Sequence, residues 1–253
     1  MQDFTLKKYG ELIDGLRERV GPLYGVLHWH QQSPERGVLV RHDVDRKPAN
    51  ALAMAKLEAN RGFSTTYYFR VVGSAFNREI IREVASLGHE VGYHYEDLSL
   101  AKGDMTQAHG LFHKHLGWLR ELAQIDTVAM HGSPLSRHNN VDMWKQGELA
   151  VYGLQADAFL SVDYSGMPYF TDTGRSWSAG AANLRDKPAS AAAPPVGVHS
   201  STALLDFVER ERPARLSLSA HPERWAVSIP DWCLQLGKDT GINAIKRILR
   251  SVR

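Results

Sequence analysis

Short apolar runs alternate with helix-patterned segments from residue 37 almost to the end of the chain, and this alternation restricts the fold more than any other feature. A strand that feeds a helix and then a second strand returns beside its predecessor in parallel, so a parallel sheet or α/β barrel is expected. Strands are expected at Gly37–Val40, Thr65–Val71, His89–His94, Asp126–His131, Tyr169–Asp172 and Arg215–His221. Helices are expected at Pro48–Asn60, Asn77–Leu87, about residues 105–123, Thr202–Arg210 and Pro230–Val252. Gly88 is a natural stop for the second of these, and Ser200 or Ser201 can cap the fourth. Residues 139–185 resist this parsing, and Ala189–Gly197 is a low-complexity stretch expected on the surface. Leu6, Tyr9, Leu12, Ile13, Leu16 and Val20 follow helical spacing, which predicts an amphipathic helix over about residues 5–20. It would pack on a barrel formed by about residues 37–253, so that residues 1–253 make a single domain.

A chain of 253 residues with 43% hydrophobic and 23% charged residues can bury a sizeable core. Its formal net charge of +2, with no basic run or stripe, argues against nucleic acid as a partner. The single cysteine, Cys233, excludes an intrachain disulfide and a thiolate metal cluster. No apolar stretch approaches the length of a membrane span, and the first residues lack the apolar core of a secretory signal. A cytoplasmic location is the expectation.

Chemistry collects at the strand ends. Arg41-His42-Asp43-Val44-Asp45 sets two carboxylates just beyond an apolar run, where α/β folds place their active sites. Asp43 and Asp45 are two residues apart, so on extended backbone they project to the same side, where a cation or shared proton would relieve their repulsion. Three other predicted strands end in His94, His131 and His221, each two residues after a small side chain: Gly92, Ala129 and Ser219. Those small residues are expected to leave space for imidazoles and an ion at a narrow barrel mouth. His42 alternates with Asp43 and should point away from that ion.

The sequence resembles the polysaccharide deacetylase superfamily, also called the NodB homology domain. The likeness is carried by Arg41-His42-Asp43-Val44-Asp45, by Gly88-His89-Glu90-Val91-Gly92-Tyr93-His94, and by Leu218-Ser219-Ala220-His221, over roughly residues 37 to 225. It implies a distorted (β/α) barrel and metal-dependent removal of acetyl groups from a carbohydrate. By that resemblance Asp43 is the general base, His94 a metal ligand and His221 the general acid. Val44 stands where the family carries its metal-binding aspartate, so Asp45 is expected to take that part. Leu98 stands where the family carries a second histidine ligand, and His131 is expected to replace it, with Glu96 and Asp97 as further candidates. Arg-His-Asp-Val-Asp and Gly-Tyr-His-Tyr-Glu-Asp segments are similar to those of a subgroup associated with bacterial surface-glycan synthesis.

Two histidines and a carboxylate with open positions suit Zn²⁺ first and other divalent first-row ions after it. Asp172, Arg175 and Trp177 in one loop, with Tyr95 and Trp225, are candidates for binding an acetylated sugar, through polar contacts or by ring stacking. His109, His113 and His115 read as a solvated helix face. The expected activity is deacetylation of an N- or O-acetylated sugar in surface-polysaccharide assembly. A small N-acyl or formyl amide, or a glycan-binding protein without turnover, are the rival readings. The oligomeric state is open.

Overall fold

The computed structural model describes residues 2–144, 148–177, 188, 190–191 and 197–251, without the side chains of 239 and 242–251. Most of the Ala189–Gly197 stretch therefore lies outside the described residues. Helix α1 (Leu6–Arg19) starts at Thr5, whose side chain accepts from the Lys8 N–H, and buries Tyr9, Leu12, Ile13 and Leu16. Strand β1 (Leu23–Tyr24) and helix α2 (Val26–Gln32) follow; neither has enough periodic residues to announce itself. Strand β2 (Gly37–Val44) is buried along its whole length and runs four residues past its apolar core, carrying Arg41, His42 and Asp43 inside the sheet. Helix α3 (Pro48–Ala59) begins at the proline, whose missing N–H costs nothing in a first turn.

Strand β3 (Thr66–Phe69), helix α4 (Arg78–Ser86, capped by Asn77) and strand β4 (Glu90–Tyr95) continue the alternation. After them come the short helix α5 (Asp97–Leu100), helix α6 (Met105–Arg120) and strand β5 (Thr127–Met130). The harder region holds helix α7 (Glu148–Val151), strand β6 (Ala156–Asp157) and strand β7 (Tyr169–Thr171). Helix α8 (Ser201–Glu211, capped by Ser200), strand β8 (Arg215–Ala220) and helix α9 (Ile229–Ser251) close the chain.

Among the described residues, all pairings of these eight strands are parallel, in the order β6-β5-β4-β3-β2-β8-β7, with β1 added beside β2. The two ends of this series meet around one side chain. The Arg41 guanidinium lies 4.5 Å from the Phe159 ring, just beyond β6, and Nη2 donates to the Tyr169 hydroxyl of β7 at 2.9 Å. Tyr164 and Tyr169 pack at 5.6 Å between ring centres across the same gap. The sheet is thus curled into the expected α/β barrel, incomplete between β6 and β7, with α1 packed against it.

The register puts Arg41 and Asp43 of β2, Tyr68 of β3, and Gly92 and His94 of β4 on the inner face. Gly92 does not leave the open space its size suggests, because a Cβ there would strike the Tyr68 ring and come within 2.9 Å of the Thr127 carbonyl oxygen. Tyr68 fills the bore and reaches the Thr127 hydroxyl at 2.9 Å. Replacing Gly92 by alanine should lower unfolding free energy by about 1–3 kcal/mol, read in urea, through forced displacement of that ring.

Outside the bore, His42 points to the helices as expected. Its Nε2 lies 2.8 Å from the Tyr9 hydroxyl and its ring stacks on Tyr67 at 4.1 Å. The hub there is Glu58, fully buried, which accepts from Tyr9, from Thr65 at 2.7 Å and from Tyr67 at 2.9 Å. Burial alone would push its carboxyl up; His42 foremost, then His89 and Tyr9, bring it down from 4.5 to about 2. A depressed folded-state value contributes stability above the unfolded value and loses it as pH falls through the folded one. Glu58 should therefore contribute about 3 kcal/mol at neutral pH that disappears between pH 4.5 and 2. Urea unfolding across that range should show a correspondingly flatter pH dependence for Glu58→Gln.

Candidate active site

Strand β2 delivers the two acids differently. Asp43 is still within the strand and wholly buried. Its Oδ2 lies 3.3 Å from Arg41 Nη2 and accepts from the Ser219 hydroxyl at 3.3 Å, whereas Oδ1 is buried with no hydrogen-bond partner. Arg41 sits two residues earlier on the same face, so its charge opposes the cost of burying the carboxylate. Asp45 lies just past the strand, with its N–H donated to the Asp43 carbonyl at 3.1 Å.

Asp45 faces two imidazoles. Its Oδ1 is 3.4 Å from His94 Nε2 and 3.6 Å from His131 Nε2, and this oxygen too is buried without a hydrogen-bond partner. The histidine rings stand 5.3 Å apart at 72°. Each is oriented through its other nitrogen. His94 Nδ1 is 3.0 Å from the Ala129 carbonyl oxygen of the neighbouring strand, and His131 Nδ1 is 2.9 Å from Glu96 Oε2. A carbonyl accepts only from N–H, so His94 Nδ1 carries a proton, and in the neutral ring Nε2 then has its lone pair toward Asp45. Glu96 is braced in turn by Arg70, which donates to its Oε1 at 2.7 Å. The turn carrying His131 is tied down by Asn140, which donates to the His131 carbonyl at 2.7 Å and to Ser133 Oγ at 3.1 Å.

The charges follow this arrangement. Burial would raise the Asp45 carboxyl, but His131 first and His94 after it hold it well below the usual carboxylate range. Burial would lower His94, and the nearby Asp43 and Asp45 charges raise it instead. Burial pushes Glu96 up, yet His131 and Arg70 bring it from 4.5 to about 2.

His221, immediately after β8, is fixed by a different acid. Its Nδ1 is 2.7 Å from Asp172 Oδ1, and its backbone N–H donates to Asp172 Oδ2 at 2.9 Å. Asp172 also accepts from Arg224 Nη1 at 2.9 Å and from the Trp225 indole at 2.8 Å. It is fully buried, which alone would raise its carboxyl; His221 and Arg224 outweigh that and lower it.

This corrects the five expected sugar contacts. Asp172 spends both oxygens on donors of the protein itself and so orients His221 instead of meeting a substrate. Trp177 and Trp225 are fully buried, 6.0 Å apart between ring centres, and pack around Phe4 of the N-terminal segment. Tyr95 is buried and donates to Asp157 at 2.8 Å. The Arg175 guanidinium lies over the Phe4 and Trp232 rings, on the α1 and α9 side. Aromatic rings follow the apolar core unless an edge of the fold exposes them. The other substitute ligands are also accounted for. Asp97 is buried and accepts from Tyr93 at 2.8 Å, and it lies 2.7 Å from His115 Nδ1. His115 is therefore a buried partner rather than part of a solvated face, and Leu98 is core.

Two acids at the carboxyl-end side of the strands, both raised by burial, were given no role from the sequence. Asp157 at the end of β6 is raised from 3.8 to about 6 by burial. Glu223, in the turn Pro222–Arg224, is raised by burial and next by the Asp45 charge. The first could have been found by the strand-end rule had β6 been longer than two residues.

Removing the Asp172 carboxylate would leave Arg224 and the Trp225 and His221 N–H groups buried without their acceptor. Asp172→Ala should lower unfolding free energy by about 3–5 kcal/mol in urea titrations.

No family model and no curated protein matches this chain. Among solved structures it is similar to a putative polysaccharide deacetylase from Mycobacterium smegmatis, 15% identical, covering 85% of this chain and 90% of that one with a TM-score of 0.43. It is also similar to Bacillus subtilis PdaA, a family 4 carbohydrate esterase, 10% identical, covering 84% and 86% with a TM-score of 0.37.

Proposed function

We propose that the protein is a divalent-metal hydrolase that removes an acyl group, in the first instance acetyl, from a nitrogen or oxygen of a carbohydrate. One observation carries this reading: a buried Asp45 oxygen without a hydrogen-bond partner faces the Nε2 atoms of His94 and His131 at 3.4 and 3.6 Å. Among the described residues no group of three or more His, Cys, Asp or Glu side chains is placed to hold a metal ion as the side chains stand. The donor set nevertheless suits zinc. Tetrahedral ligands at bond lengths of about 2.0–2.1 Å lie roughly 3.3 Å from one another, close to the separations seen. Both imidazoles are steered through Nδ1 by an acceptor behind them, the arrangement typical of histidines that bind metal through Nε2. Asp45, His94 and His131 would hold the ion.

Bound there, zinc would supply Lewis acidity toward an acyl carbonyl and toward a water. The rest is done by the chain's own residues. Asp43 Oδ1 takes a proton from the attacking water, while Arg41 and Ser219 keep the carboxylate turned by its other oxygen. The water oxygen joins the acyl carbon and the bond from that carbon to the sugar nitrogen or oxygen breaks. His221, held through Nδ1 by Asp172, delivers a proton from Nε2 to the departing atom. Asp172 thereby stabilises the imidazolium before transfer and fixes the ring's orientation, as a buried aspartate does for other catalytic histidines.

The sequence likeness supports a carbohydrate as the acyl-bearing substrate, and its subgroup supports surface-polysaccharide assembly as the setting. Among the described residues no helix is long and apolar enough to cross a membrane.

Zinc content by elemental analysis, together with acetate release from a panel of acetylated sugars, tests the reading. Wild-type protein should retain about one ion per chain, and His131→Ala should lose it. Asp43→Asn should keep the ion while turnover falls about 10²- to 10⁴-fold. Undiminished turnover in Asp43→Asn would remove Asp43 from the base role, and a wild type indifferent to zinc would remove the metal.

A further inference from the structure

Glu223 sits where nothing so far requires a carboxylate. Its side chain is 1% exposed, on the turn Pro222–Arg224 that follows His221. Oε1 meets Arg46 Nη2 at 3.4 Å, a long contact to a side chain that is itself 43% exposed. Oε2 is buried with no hydrogen-bond partner. The turn is rigidly mounted: Asn50 Nδ2 donates to the carbonyls of Pro222 at 3.3 Å and of Trp225 at 3.1 Å. Arg224 N–H closes it on the His221 carbonyl at 2.9 Å. A buried carboxylate oxygen left without a donor costs about 1–3 kcal/mol or more, so a fixed one at a site's edge calls for a donor from outside the protein.

Resting on the deacylase reading, we infer that Glu223 is a specificity-determining residue that accepts a hydrogen bond from a hydroxyl on the leaving-group side of the substrate. The position dictates the side. Glu223 shares its turn with His221, which faces the departing atom, and its outer neighbour Arg46 follows Asp45 at the end of β2. A carboxylate accepts and never donates when ionised, so the matching group is O–H or N–H next to the acylated atom. Singly acylated sugars commonly carry such a group beside the acylated position. Simple N-acyl amides and alkyl esters have none. The inference thus narrows the substrate class to acylated carbohydrates and other acylated polyols, against the small N-acyl compounds that the barrel and ion alone would also admit. Sites built around a substrate hydroxyl reject analogues that lack it far more strongly than apolar pockets reject a missing methylene.

The test uses the full-length zinc-loaded protein with two classes of probe: acetylated chito- and xylo-oligosaccharides, and the hydroxyl-free cyclohexyl acetate and N-cyclohexylacetamide. Wild type should favour the acetylated sugars in kcat/KM. Glu223→Gln should reduce that preference about 10- to 100-fold, the loss expected for a hydrogen bond to a charged group, and Glu223→Asp should recover part of it. Zinc content measured on each variant should stay at the wild-type value. A preference that Glu223→Gln does not move overturns the inference while leaving the deacylase reading in place. Loss of zinc from Glu223→Gln also overturns it, because the carboxylate would then serve the ion. A wild type that hydrolyses neither class sinks the deacylase reading, and this inference with it.

Discussion

Strand β2 carries Arg41 and Asp43 on a single face with Asp45 just past its end, and the organisation of the barrel mouth depends on how that column of charge is balanced. Arg41 balances Asp43 from below and also draws in Phe159 and Tyr169, so the residue that makes the acid tolerable in the bore is also the one on which the curled sheet closes. Asp45, one step further out, has no such cation within the strand. It is matched across the bore by His94 and His131, from strand β4 and the end of strand β5. Fold closure and site assembly are therefore one electrostatic problem with two solutions along the same strand.

The second layer explains why those solutions are specific. Three histidines face the bore, and each is turned by a different acceptor: a backbone carbonyl for His94, Glu96 for His131, and Asp172 for His221. A carbonyl can only accept, which settles where the His94 proton lies; a carboxylate adds charge, which favours an imidazolium. The same residue type is thus prepared for two kinds of work. The Asp172 pairing suits proton delivery and the carbonyl pairing suits lone-pair donation to a cation, while the Glu96 pairing would serve donation once a cation replaced the proton on His131 Nε2. Asp172 is itself saturated by Arg224 and Trp225, which makes its position a matter of the core and not of the substrate.

Much of this was legible in the residues. The expectation that Asp43 faces the bore and that histidines follow on the inner side of three strands rests on the two-residue period of a strand; Asp45 lies one residue past β2. The helix at Pro48 was legible from its leading proline and alanine-rich run, and the strand at Arg215 from its alternating leucines. Strands β1 and β6 were not, since two residues each show no period at all. The aromatic residues misled for a physical reason. Trp177 and Trp225 are polar at one atom and flank a strand-end site, but burying an indole against Phe4 removes far more apolar surface than stacking it on a sugar would. Gly92 misled in the opposite sense, since the space a glycine concedes was taken by Tyr68, directly opposite on the neighbouring strand, and only the packed structure shows who claims it. Glu223 was invisible because a proline-led turn carries no pattern that says which of its side chains will be buried.

The central claim is that Asp45, His94 and His131 serve one cation. Anomalous scattering from a crystal grown with zinc tests it most directly. The account predicts a single strong peak within about 2.2 Å of one Asp45 oxygen and of both Nε2 atoms, with Asp43 outside the coordination sphere. A peak held elsewhere, or none at these three side chains under saturating zinc, would contradict it.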